Sequence, residues 1–471
     1  MELRLHPKQT EAFLTEATEV LYGGAAGGGK SHLMRTAAIA WCTDIPGLQV
    51  YIFRRISDDL IKNHMEGPTG FPAMLGEWVE AGHVKIRHQP TSIEFWNGAK
   101  IHLCHCQYEK DVIKYQGAEI HVLMPDELTH FTEKIYRYLR GRCRLGALKL
   151  PQRYAGRFPR IIAGSNPGGV GHNWVRATFV DGAPPMEVVQ QPKEEGGMRR
   201  QYIPARLDDN PTLRETDPDY IDRLEGLGNP ALVKAMRDGD WNIVAGGMFD
   251  DVWSEAKHAI EPFAIPAGWR IDRSFDWGSS RPFSVGWWAV SDGTEAKRKD
   301  GSTFTVPRGT LFRIGEWYGW NGKPNEGLKM LAVDVAAGIL KREKAMGYEG
   351  RVRPGPADSA IFDTQNGMCI ADDMAKAGVR WERADKGPGS RRNGWERVRQ
   401  VLSAAKAFPM EEPGLFVFNT CRQFIRTVPV LPRDDKDPDD IDTDAEDHVA
   451  DEARYRIAMP SRTVSVSPLR M

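Results

Sequence analysis

Short apolar runs and amphipathic stretches alternate along the first half of the chain. Runs typical of buried strands occur at residues 18–22 (TEVLY), 48–53 (LQVYIF), 120–125 (IHVLMP) and 160–165 (RIIAGS). Residues 30–41 (KSHLMRTAAIAW) have the hydrophobic spacing of a helix. Strands that alternate with helices are typical of a parallel sheet covered by helices, so this half is predicted to be an α/β domain.

The second half begins with a different pattern. Three strand-like segments follow one another at 269–276, 282–290 and 310–318, which predicts an antiparallel meander before helices and further apolar segments alternate. A second, mixed α/β domain is therefore expected. The predicted organisation is a first domain at 1–245 with a helical appendix at about 201–245, a linker at 246–268, a second domain at 269–458 and a flexible tail at 459–471.

Composition narrows the class of protein. The 471 residues include 63 Lys and Arg against 64 Asp and Glu, so any surface for nucleic acid must be local. The six cysteines lack paired CxxC spacing, which favours free thiols in a reducing cytosol. No apolar run approaches the roughly 20 residues of a membrane span, and the N-terminus lacks a signal-peptide pattern. A soluble intracellular protein without a membrane partner is expected.

The segment 24–31, GAAGGGKS, fits the phosphate-binding pattern G-x-x-x-x-G-K-[ST] and lies between a predicted strand and a predicted helix. In this pattern, glycines let backbone N–H groups surround the phosphates, the lysine reaches the β and γ phosphates, and the serine holds Mg²⁺. A flexible glycine loop is the alternative. The predicted nucleotide-binding residues of the loop are Gly24, Gly27, Gly28, Gly29, Lys30 and Ser31.

Two further positions are candidates for contact with a nucleotide. Gln9 lies a short distance upstream of the loop, and its amide could recognise the edge of adenine; an ordinary surface glutamine is the alternative. Arg54 and Arg55 follow the strand at 48–53, where they could be phosphate sensors, DNA contacts or solvated charges.

An acidic pair, Asp126 and Glu127, follows the apolar strand at 120–125. Such a pair suits the second half of an ATP site: Asp126 would join the Mg²⁺ shell, and Glu127 would orient and deprotonate the attacking water. Helix N-caps are the alternative. Ser165 and Asn166 end the next apolar strand and would face the γ-phosphate, although they would otherwise pass for a turn.

Four arginines, Arg137, Arg140, Arg142 and Arg144, are crowded into a short segment. One of them could be an arginine finger that reaches a neighbouring subunit, and Arg142 or Arg144 is favoured. A basic surface helix is the alternative.

Several aspartates of the second half stand at strand ends or at a helix start. Asp276 ends the first predicted strand, Asp358 lies beside the fourth, and the spacing of four puts Asp447 and Asp451 on one helical face. Carboxylates that converge from separate elements suit two-metal phosphodiester cleavage, with His448 as a further ligand or a phosphate contact. Aspartates are also common as simple caps, and this alternative stays open.

Two charged segments accompany these aspartates. The basic segment 386–397 (KGPGSRRNGWER) would suit the DNA backbone, with a charged turn as the alternative. The acidic run 434–447 lacks the spacing of a calcium loop and is expected to be a solvated acidic loop.

Together these motifs resemble the large terminase subunit of tailed bacteriophages. The resemblance rests on Gln9, the loop 24–31, the acidic pair, the segment 165–167, Asp276-Trp277-Gly278, Asp358 and the segment 447–455. It implies a P-loop ATPase domain of the ASCE type followed by a ribonuclease-H-like nuclease domain. It also implies ATP-driven translocation of double-stranded DNA into a procapsid, and cleavage of concatemeric DNA by two Mg²⁺ or Mn²⁺ ions. The implied partners are a portal protein and a small terminase subunit, on a ring that is usually a pentamer, in the host cytoplasm and transiently on the procapsid.

The chain departs from the family pattern in two respects. Many members carry an arginine inside the phosphate loop, whereas residues 23–29 are only Gly and Ala, so a trigger must come from elsewhere, such as Arg142 or Arg144. Either Asp447 or Asp451 could be the third metal ligand, and Asp451 is slightly favoured.

Two other functions remain open at this point. One is an ATP-dependent helicase or repair nuclease, which would separate strands. The other is an assembly factor that uses ATP as a switch and whose nuclease-like domain is a scaffold.

Overall fold

The computed structural model describes residues 3–226, 233, 236–241, 247–364, 369–434 and 436–459. The chain divides into two compact units, Met1–Gly246 and Gly247–Met471, each built on its own sheet. Both units are α/β, which confirms the predicted fold class. Among the described helices, none combines the length and the apolar sequence that crossing a membrane requires.

The first unit is organised around a nine-stranded sheet. Its strands are β1 (Glu19–Gly24), β2 (Gln49–Arg54), β3 (Val84–His88), β4 (Thr91–Phe95), β5 (Lys100–His105), β6 (Val122–Pro125), β7 (Arg160–Ser165), β8 (Val189–Gln190) and β9 (Arg199–Ala205). Its helices are α1 (Pro7–Leu14), α2 (Lys30–Asp44), α3 (Ser57–His64), α4 (Phe71–Glu80), α5 (Glu133–Arg140), α6 (His172–Val175), α7 (Pro211–Thr216) and α8 (Tyr220–Glu225).

The strand order in this sheet is β3-β4-β5-β2-β6-β7-β1-β9-β8. The six neighbouring strands β5, β2, β6, β7, β1 and β9 are mutually parallel. Antiparallel pairs, β4 with β5 and β3 at one edge and β8 with β9 at the other, extend the sheet. Every residue of β1, β6 and β7 is buried, as expected for central parallel strands that are covered on both faces. Strand β7 lies between β1 and β6, and this intervening strand is the arrangement expected of an ASCE-type P-loop domain.

The predicted helical appendix is wrong in its first residues. Residues 201–205 belong to β9, which pairs in parallel with β1 from Glu19↔Arg200 to Gly24↔Ala205. Helices begin only after this strand, with α7 and α8. The backbone hydrogen bonds to β1 hold this segment in the sheet, and the sequence pattern did not reveal them.

The second unit contains a mixed sheet with helices packed on it. The strands of this unit are β10 (Ala259–Ile260), β11 (Arg270–Asp276), β12 (Ser284–Val290), β13 (Ala296–Lys297), β14 (Thr303–Phe304), β15 (Leu311–Tyr318), β16 (Val352–Arg353), β17 (Pro356–Ala357), β18 (Glu382–Arg383) and β19 (Leu415–Phe418). Strands β13 and β14 form a separate two-stranded sheet. Its helices are α9 (Glu255–His258), α10 (Ala332–Ala345), α11 (Ile370–Lys376), α12 (Ser390–Lys406), α13 (Arg422–Thr427) and α14 (His448–Ala458).

The order in the main sheet is β10-β19-β15-β12-β11-β17-β18, with β16 also paired to β11. Strands β11, β12 and β15 form the predicted antiparallel meander, and β17 and β18 extend it in parallel. If β11, β12, β15, β17 and β18 are counted as strands one to five, their order across the sheet is three, two, one, four, five. This is the order of a ribonuclease-H-like sheet. Helix α14 packs against β11 and β12.

The segment predicted as a linker, 246–268, is mostly part of this second unit. Met248 and Phe249 are buried in its core, and β10 pairs in parallel with β19. The sequence pattern of this segment did not indicate these contacts, because it resembled that of a linker. Gly246 and, apart from Met459, the predicted flexible tail lie outside the described residues.

Candidate functional site

The phosphate loop connects β1 to α2 in the first unit. Gly27 and Gly29 have φ angles of +74° and +75°, in the left-handed region that favours glycine. A Cβ at Gly27 would also lie 2.6 Å from Leu207 Cδ1 and 2.8 Å from Leu213 Cδ2. Both the backbone and the neighbouring side chains therefore require glycine here.

Lys30 occupies the centre of this site. Its Nζ donates hydrogen bonds to the carbonyl of Ala25 (3.0 Å) and to Oδ1 of Asn166 (2.5 Å). Burial lowers the pKa of Lys30, and the negative charges of Glu127 and Asp126 oppose this change. The lysine, the acidic pair and Asn166 are thus brought together, as the sequence predicted.

Ser31 is half-buried in the first turn of α2, directly after Lys30. Part of the loop backbone is already engaged. The N–H of Ala25 donates to the carbonyl of Ala205 (3.0 Å), and the N–H of Ala26 donates to the carbonyl of Met236 (2.7 Å). A phosphate that used the N–H of Ala26 would have to replace Met236.

Asp126 is held by two basic side chains. Its Oδ2 accepts hydrogen bonds from Arg54 Nε (2.7 Å) and from His64 Nε2 (3.1 Å), whereas its Oδ1 is buried without a partner. Burial acts to raise the pKa of Asp126, but the hydrogen bond from His64 and the charge of Arg54 outweigh it and hold this pKa below its usual value. The carboxylate is therefore charged, and its buried Oδ1 makes no hydrogen bond.

Burial lowers the pKa of His64, and the hydrogen bond to Asp126 opposes this change. The sequence analysis missed His64, and for Arg54 it left three roles open. The signal for Arg54 was its position at the end of a buried strand. His64 ends a separate helix, α3, and only tertiary packing places it beside Asp126.

Glu127 adopts a strained backbone conformation, with a φ of +57° that is uncommon outside glycine. It precedes a short 3₁₀ turn, Leu128–His130, but its side chain makes no capping hydrogen bond there. Asp126 is engaged by Arg54 and His64, so the capping alternative fails for both acids.

Ser165 and Asn166 connect the end of β7 to the segment that follows Glu127. The N–H of Thr129 donates to Ser165 Oγ (3.1 Å), Ser165 Oγ donates to Thr129 Oγ1 (3.0 Å), and Thr129 Oγ1 donates to the carbonyl of Asn166 (3.0 Å). Thr129 is therefore part of the site, and its hydroxyl two residues after Glu127 was the signal that sequence reasoning overlooked.

Gln9 is buried, with 2 % of its surface exposed, so it is not an ordinary surface glutamine. Its Nε2 donates to the carbonyl of Gly29 (2.9 Å), and its Oε1 accepts from the N–H of His6 (2.8 Å). Both ends of the amide already bind protein, so the observed contact of Gln9 is with the phosphate loop.

The arginine segment lies at the opposite end of the strands from the phosphate loop. Residues 142–144 pair with Ile120, before the start of β6, whereas Asp126 follows the end of that strand. Arg140 forms a buried ion pair with Glu19 (3.1 Å), and Arg144 lies 3.6 Å from exposed Glu119. Arg142 and Arg144 thus lie near the amino ends of the parallel strands, whereas their own phosphate loop follows the carboxyl end of β1.

In the second unit, the predicted aspartates converge at one edge of the sheet. Asp276 ends β11, and Asp358 follows β17, which pairs in parallel with β11. Burial, together with the charges of Asp451 and Asp358, raises the pKa of Asp276 to about 6, although His448 opposes this. The pKa of Asp447 rises to about 7 because of burial, with Asp451 adding to the effect.

Basic side chains balance part of this negative charge. Lys386 Nζ lies 2.5 Å from Asp358 Oδ1, and Arg391 lies 3.3 Å from Asp451 and 3.8 Å from Asp447. Arg454 also pairs with Asp451 at 2.9 Å. The basic segment predicted to touch DNA thus faces the aspartates here.

The carboxylates suit Mg²⁺ or Mn²⁺ by their chemistry, because both ions prefer oxygen ligands. As the side chains stand, however, no three His, Cys, Asp or Glu residues of the described part of the chain are arranged to hold one ion. Asp358 binds Lys386, and Asp451 binds Arg391 and Arg454. Asp358 Oδ1 also accepts the N–H of Ala360 (3.0 Å), so the capping alternative holds in part for this residue.

His448 and Tyr455 complete the group. His448 Nδ1 lies 3.4 Å from Asp276 Oδ2, and its Nε2 is buried without a partner. Burial acts to lower the pKa of His448, but Asp276 and Asp447 raise it above its usual value. Burial, together with the charges of Asp276, Asp451 and Asp358, raises the pKa of the Tyr455 hydroxyl.

The acidic run 434–447 is not simply a solvated loop. Asp440 accepts hydrogen bonds from Arg391 Nε (2.7 Å) and Trp395 Nε1 (2.8 Å), both on α12. This run therefore anchors the first turns of α12 beside the carboxylates. The prediction of a solvated loop did not include this role, because the partners of Asp440 are distant from it in the sequence.

Comparison with known proteins gives one family and several distant structures. The matching family model describes the N-terminal part of the terminase large subunit, T4likevirus-type, and it covers residues 21–256. The large terminase of a thermophilic bacteriophage is 14% identical over 96% of this chain and 98% of that chain, with a TM-score of 0.40. The HK97 bacteriophage large terminase is 10% identical over 97% of this chain and 95% of that chain, with a TM-score of 0.39.

The nuclease domain of the P22 large terminase is 17% identical over 45% of this chain and 90% of that chain, with a TM-score of 0.31. No curated protein matches the sequence.

Proposed function

Because the family match covers half of the chain, this protein belongs to the terminase large subunits, and we propose that it is an ATP-driven motor that also cuts DNA. It would hydrolyse ATP to move double-stranded DNA into a procapsid and would cleave concatemeric DNA into lengths for packaging. The observation that carries the proposal is the presence of two separate sets of reactive side chains in one chain. The first set follows the carboxyl ends of β1, β6 and β7, and the second lies around the carboxyl ends of β11 and β17 and the start of α14.

The first set supports ATP hydrolysis. Lys30 would contact the β and γ phosphates in place of its present bonds to Ala25 and Asn166. Glu127 would take a proton from the attacking water, and Asp126 and Ser31 would hold Mg²⁺. The bonds of Thr129 to Ser165 and Asn166 connect the segment after Glu127 to a residue that touches Lys30.

The second set supports hydrolysis of a phosphodiester bond. Asp276, Asp358, Asp447 and Asp451 would hold Mg²⁺ or Mn²⁺, which would activate a water molecule and stabilise the leaving oxygen. His448 is held beside Asp276, where it would orient a carboxylate or a phosphate. Lys386 and Arg391 would be available to phosphate oxygens once the carboxylates bind metal.

The proposed setting is that of a packaging complex. The protein would act in the cytoplasm of the host cell and transiently on the procapsid, with a portal protein and a small terminase subunit as partners. Docked copies would form a ring, the family's usual pentamer. The position of Arg142 and Arg144, away from their own phosphate loop, supports an arginine that acts on a neighbouring subunit.

The substitution Glu127→Gln tests the ATPase. It removes the proposed base but keeps the shape of the side chain, so DNA-stimulated ATP hydrolysis should disappear while ADP still binds. Full turnover in this variant would refute the proposed role of Glu127. Lys30→Ala is a matched variant, in which nucleotide binding should be lost as well.

The substitution Asp276→Asn tests the nuclease. It should abolish Mg²⁺- or Mn²⁺-dependent cutting of plasmid DNA and leave ATP hydrolysis intact. The full-length protein should be used for both assays. If Asp276→Asn stopped ATP hydrolysis as well, the assignment of one activity to each unit would be wrong.

A further inference from the structure

The first turn of α12 concentrates positive charge. Arg391 and Arg392 follow its first residue, Ser390, and this turn contains no acidic residue. The start of a helix already carries a partial positive charge, so two arginines there oppose helix formation. Lys386 adds a further cation shortly before the helix. Negative charge from elsewhere in the chain is therefore needed to offset these groups.

The acidic loop, defined as residues 436–444, provides this charge. Arg391 Nε donates to both carboxylate oxygens of Asp440, at 2.7 and 2.9 Å. Arg392 pairs with Asp437, whose Oδ2 accepts from Nε (2.9 Å) and lies 2.7 Å from Nη2. Each arginine thus binds a carboxylate of the protein itself, at sequence separations of 49 and 45 residues.

Backbone hydrogen bonds give the acidic loop a defined shape. The N–H of Asp440 donates to the carbonyl of Asp437 (2.8 Å), and the N–H of Asp434 donates to the carbonyl of Asp440 (3.0 Å). Arg433 Nη1 adds a bond to the carbonyl of Pro438 (2.6 Å). The carboxylates of Asp437 and Asp440 are therefore presented to α12 by a folded turn.

The two ion pairs differ in how easily they can open. Asp440 also accepts from Trp395 Nε1 (2.8 Å) and from the N–H of Ile441 (2.8 Å), so it fastens the loop to the helix. The side chain of Arg392 is 60 % exposed, and that of Asp437 is 30 % exposed. Ion pairs at such exposed positions add little to stability, so another anion can replace Asp437 at small cost.

A phosphate group fits the place of Asp437. Carboxylate and phosphate oxygens bind a guanidinium group in the same way, through parallel N–H···O bonds. The neighbouring Arg391 lies 3.3 Å from Asp451 and 3.8 Å from Asp447, two of the carboxylates proposed to hold the metal ions of the nuclease. A DNA strand that reached these carboxylates would meet Arg392 and the acidic loop beside them.

We propose that the acidic loop inhibits the nuclease site by holding Arg392 on Asp437, and that a phosphate of the DNA backbone displaces Asp437 when DNA binds. This proposal rests on the proposed nuclease function. Asp440 keeps the loop on α12 throughout, so the exchange involves one ion pair. The loop raises the concentration of DNA needed for cutting and leaves the chemical step unchanged.

The test measures the binding of a short, fluorescently labelled DNA duplex to the full-length protein by anisotropy, in EDTA so that no metal-dependent cutting occurs. Asp437→Asn should bind the duplex about 2- to 5-fold more tightly, because Arg392 no longer has to leave a charged partner. Asp437→Glu keeps the charge and should bind as the wild type does.

Glu412→Gln is the matched control, since it changes the net charge by the same amount. Glu412 is exposed and follows the far end of α12, a helix of 17 residues that is about 25 Å long. Salt screens exposed charges that are separated by more than roughly 10 Å, so this variant should bind the duplex as the wild type does.

Arg392→Met decides whether the tighter binding comes through this arginine. The plot of the logarithm of the binding constant against that of the salt concentration should become less steep by about 1, because one phosphate contact is lost. Adding Asp437→Asn to Arg392→Met should bring no further gain in affinity. With Mn²⁺, Asp437→Asn alone should cut plasmid DNA faster at limiting DNA and at the wild-type rate at saturating DNA.

Three results would overturn the inference: unchanged DNA affinity in Asp437→Asn, an equal gain in Glu412→Gln, or a gain from Asp437→Asn that persists in Arg392→Met. A wild type that bound the duplex but cut no plasmid with Mn²⁺ or Mg²⁺ would instead refute the proposed nuclease, and the binding measurements would still decide what the acidic loop does.

Discussion

Lys386 donates a hydrogen bond from Nζ to Oδ1 of Asp358 over 2.5 Å, at the edge of the sheet where Asp276 also stands. The ammonium group thus occupies the side of Asp358 that the proposed nuclease needs for a metal ion. A metal ion and a lysine cannot both bind this oxygen at full strength, because each requires the same lone pairs. Lys386 therefore competes with metal for Asp358.

Replacing Lys386 with Met should strengthen metal binding. We expect the Mn²⁺ concentration for half-maximal binding, measured by calorimetry without nucleotide, to fall about 3- to 10-fold, since the competing charge-assisted bond contributes roughly 1 kcal/mol at this part-exposed position. Arg392→Met is the control, because Arg392 lies in the same segment but pairs with Asp437 (2.7 Å). Unchanged Mn²⁺ binding together with slower plasmid cutting would show that Lys386 serves the phosphate instead.

The stability of the second unit should depend on pH through Asp447. Its pKa rises from 3.8 in the unfolded chain to about 7 in the folded protein, because the carboxyl group is buried beside Asp451. A raised pKa means that the folded protein holds the proton more tightly, so this contribution to stability is complete below about pH 4 and is lost as the pH rises through 7.

The variant Asp447→Asn has no carboxyl group that titrates at this position. In EDTA, we expect the free energy of unfolding of the wild type to fall by about 1–3 kcal/mol more than that of the variant between pH 5 and pH 8. Chemical denaturation at several pH values, followed by tryptophan fluorescence, measures the difference. Equal pH dependence in the two proteins would contradict the raised pKa. The same protonation predicts that metal binding strengthens as the pH rises through 7.

Arg54 should control how Asp126 acts in ATP hydrolysis. In Arg54→Gln, Asp126 loses its bond to a charged partner, so its carboxylate would no longer be held in one orientation for the metal ion. We expect hydrolysis of MgATP to fall about 10- to 100-fold, as is typical when a residue that orients a metal ligand is removed. ADP binding in EDTA should change less than about twofold, since no metal takes part.

The matched control is Arg87→Gln, which breaks an exposed ion pair with Glu94 (2.8 Å) at the edge of the same sheet. It should have little effect on hydrolysis. If Arg54→Gln weakened metal-free ADP binding as much as hydrolysis, Arg54 would contact the phosphates directly, and its role in orienting Asp126 would be wrong.

Arg142 and Arg144 can be tested by mixing variants. If one of them completes the site of a neighbouring subunit, its substitution with Ala should lower ATP turnover in assembled rings by about 10³-fold or more. Adding Lys30→Ala subunits, which keep their arginines but cannot hydrolyse ATP, should restore part of the activity. Arg153→Ala, which removes an exposed partner of Asp44, is the control. No recovery on mixing, for either arginine, would argue against action between subunits.

Much of the fold could be predicted because the deciding signals are local. The apolar runs that became β1, β6 and β7 are each followed at once by their functional residues, so the loop, the acidic pair and Ser165 with Asn166 were expected at one edge of a parallel sheet. The meander of β11, β12 and β15 followed in the same way from three successive strand-like segments. In both units, hydrophobic period and chain order carry this information.

The sequence by itself determined the class of each unit, the glycine loop and the aspartates at strand ends, because these depend on neighbours within a few residues. Only the tertiary structure decided what these groups touch. It placed Arg54 and His64 on Asp126, Lys386 on Asp358 and Gln9 on Gly29, and it added β9 and β10 to their sheets. Such contacts join residues far apart in the chain, and the free energy of burying a charge or completing a sheet depends on the whole surroundings rather than on the local pattern.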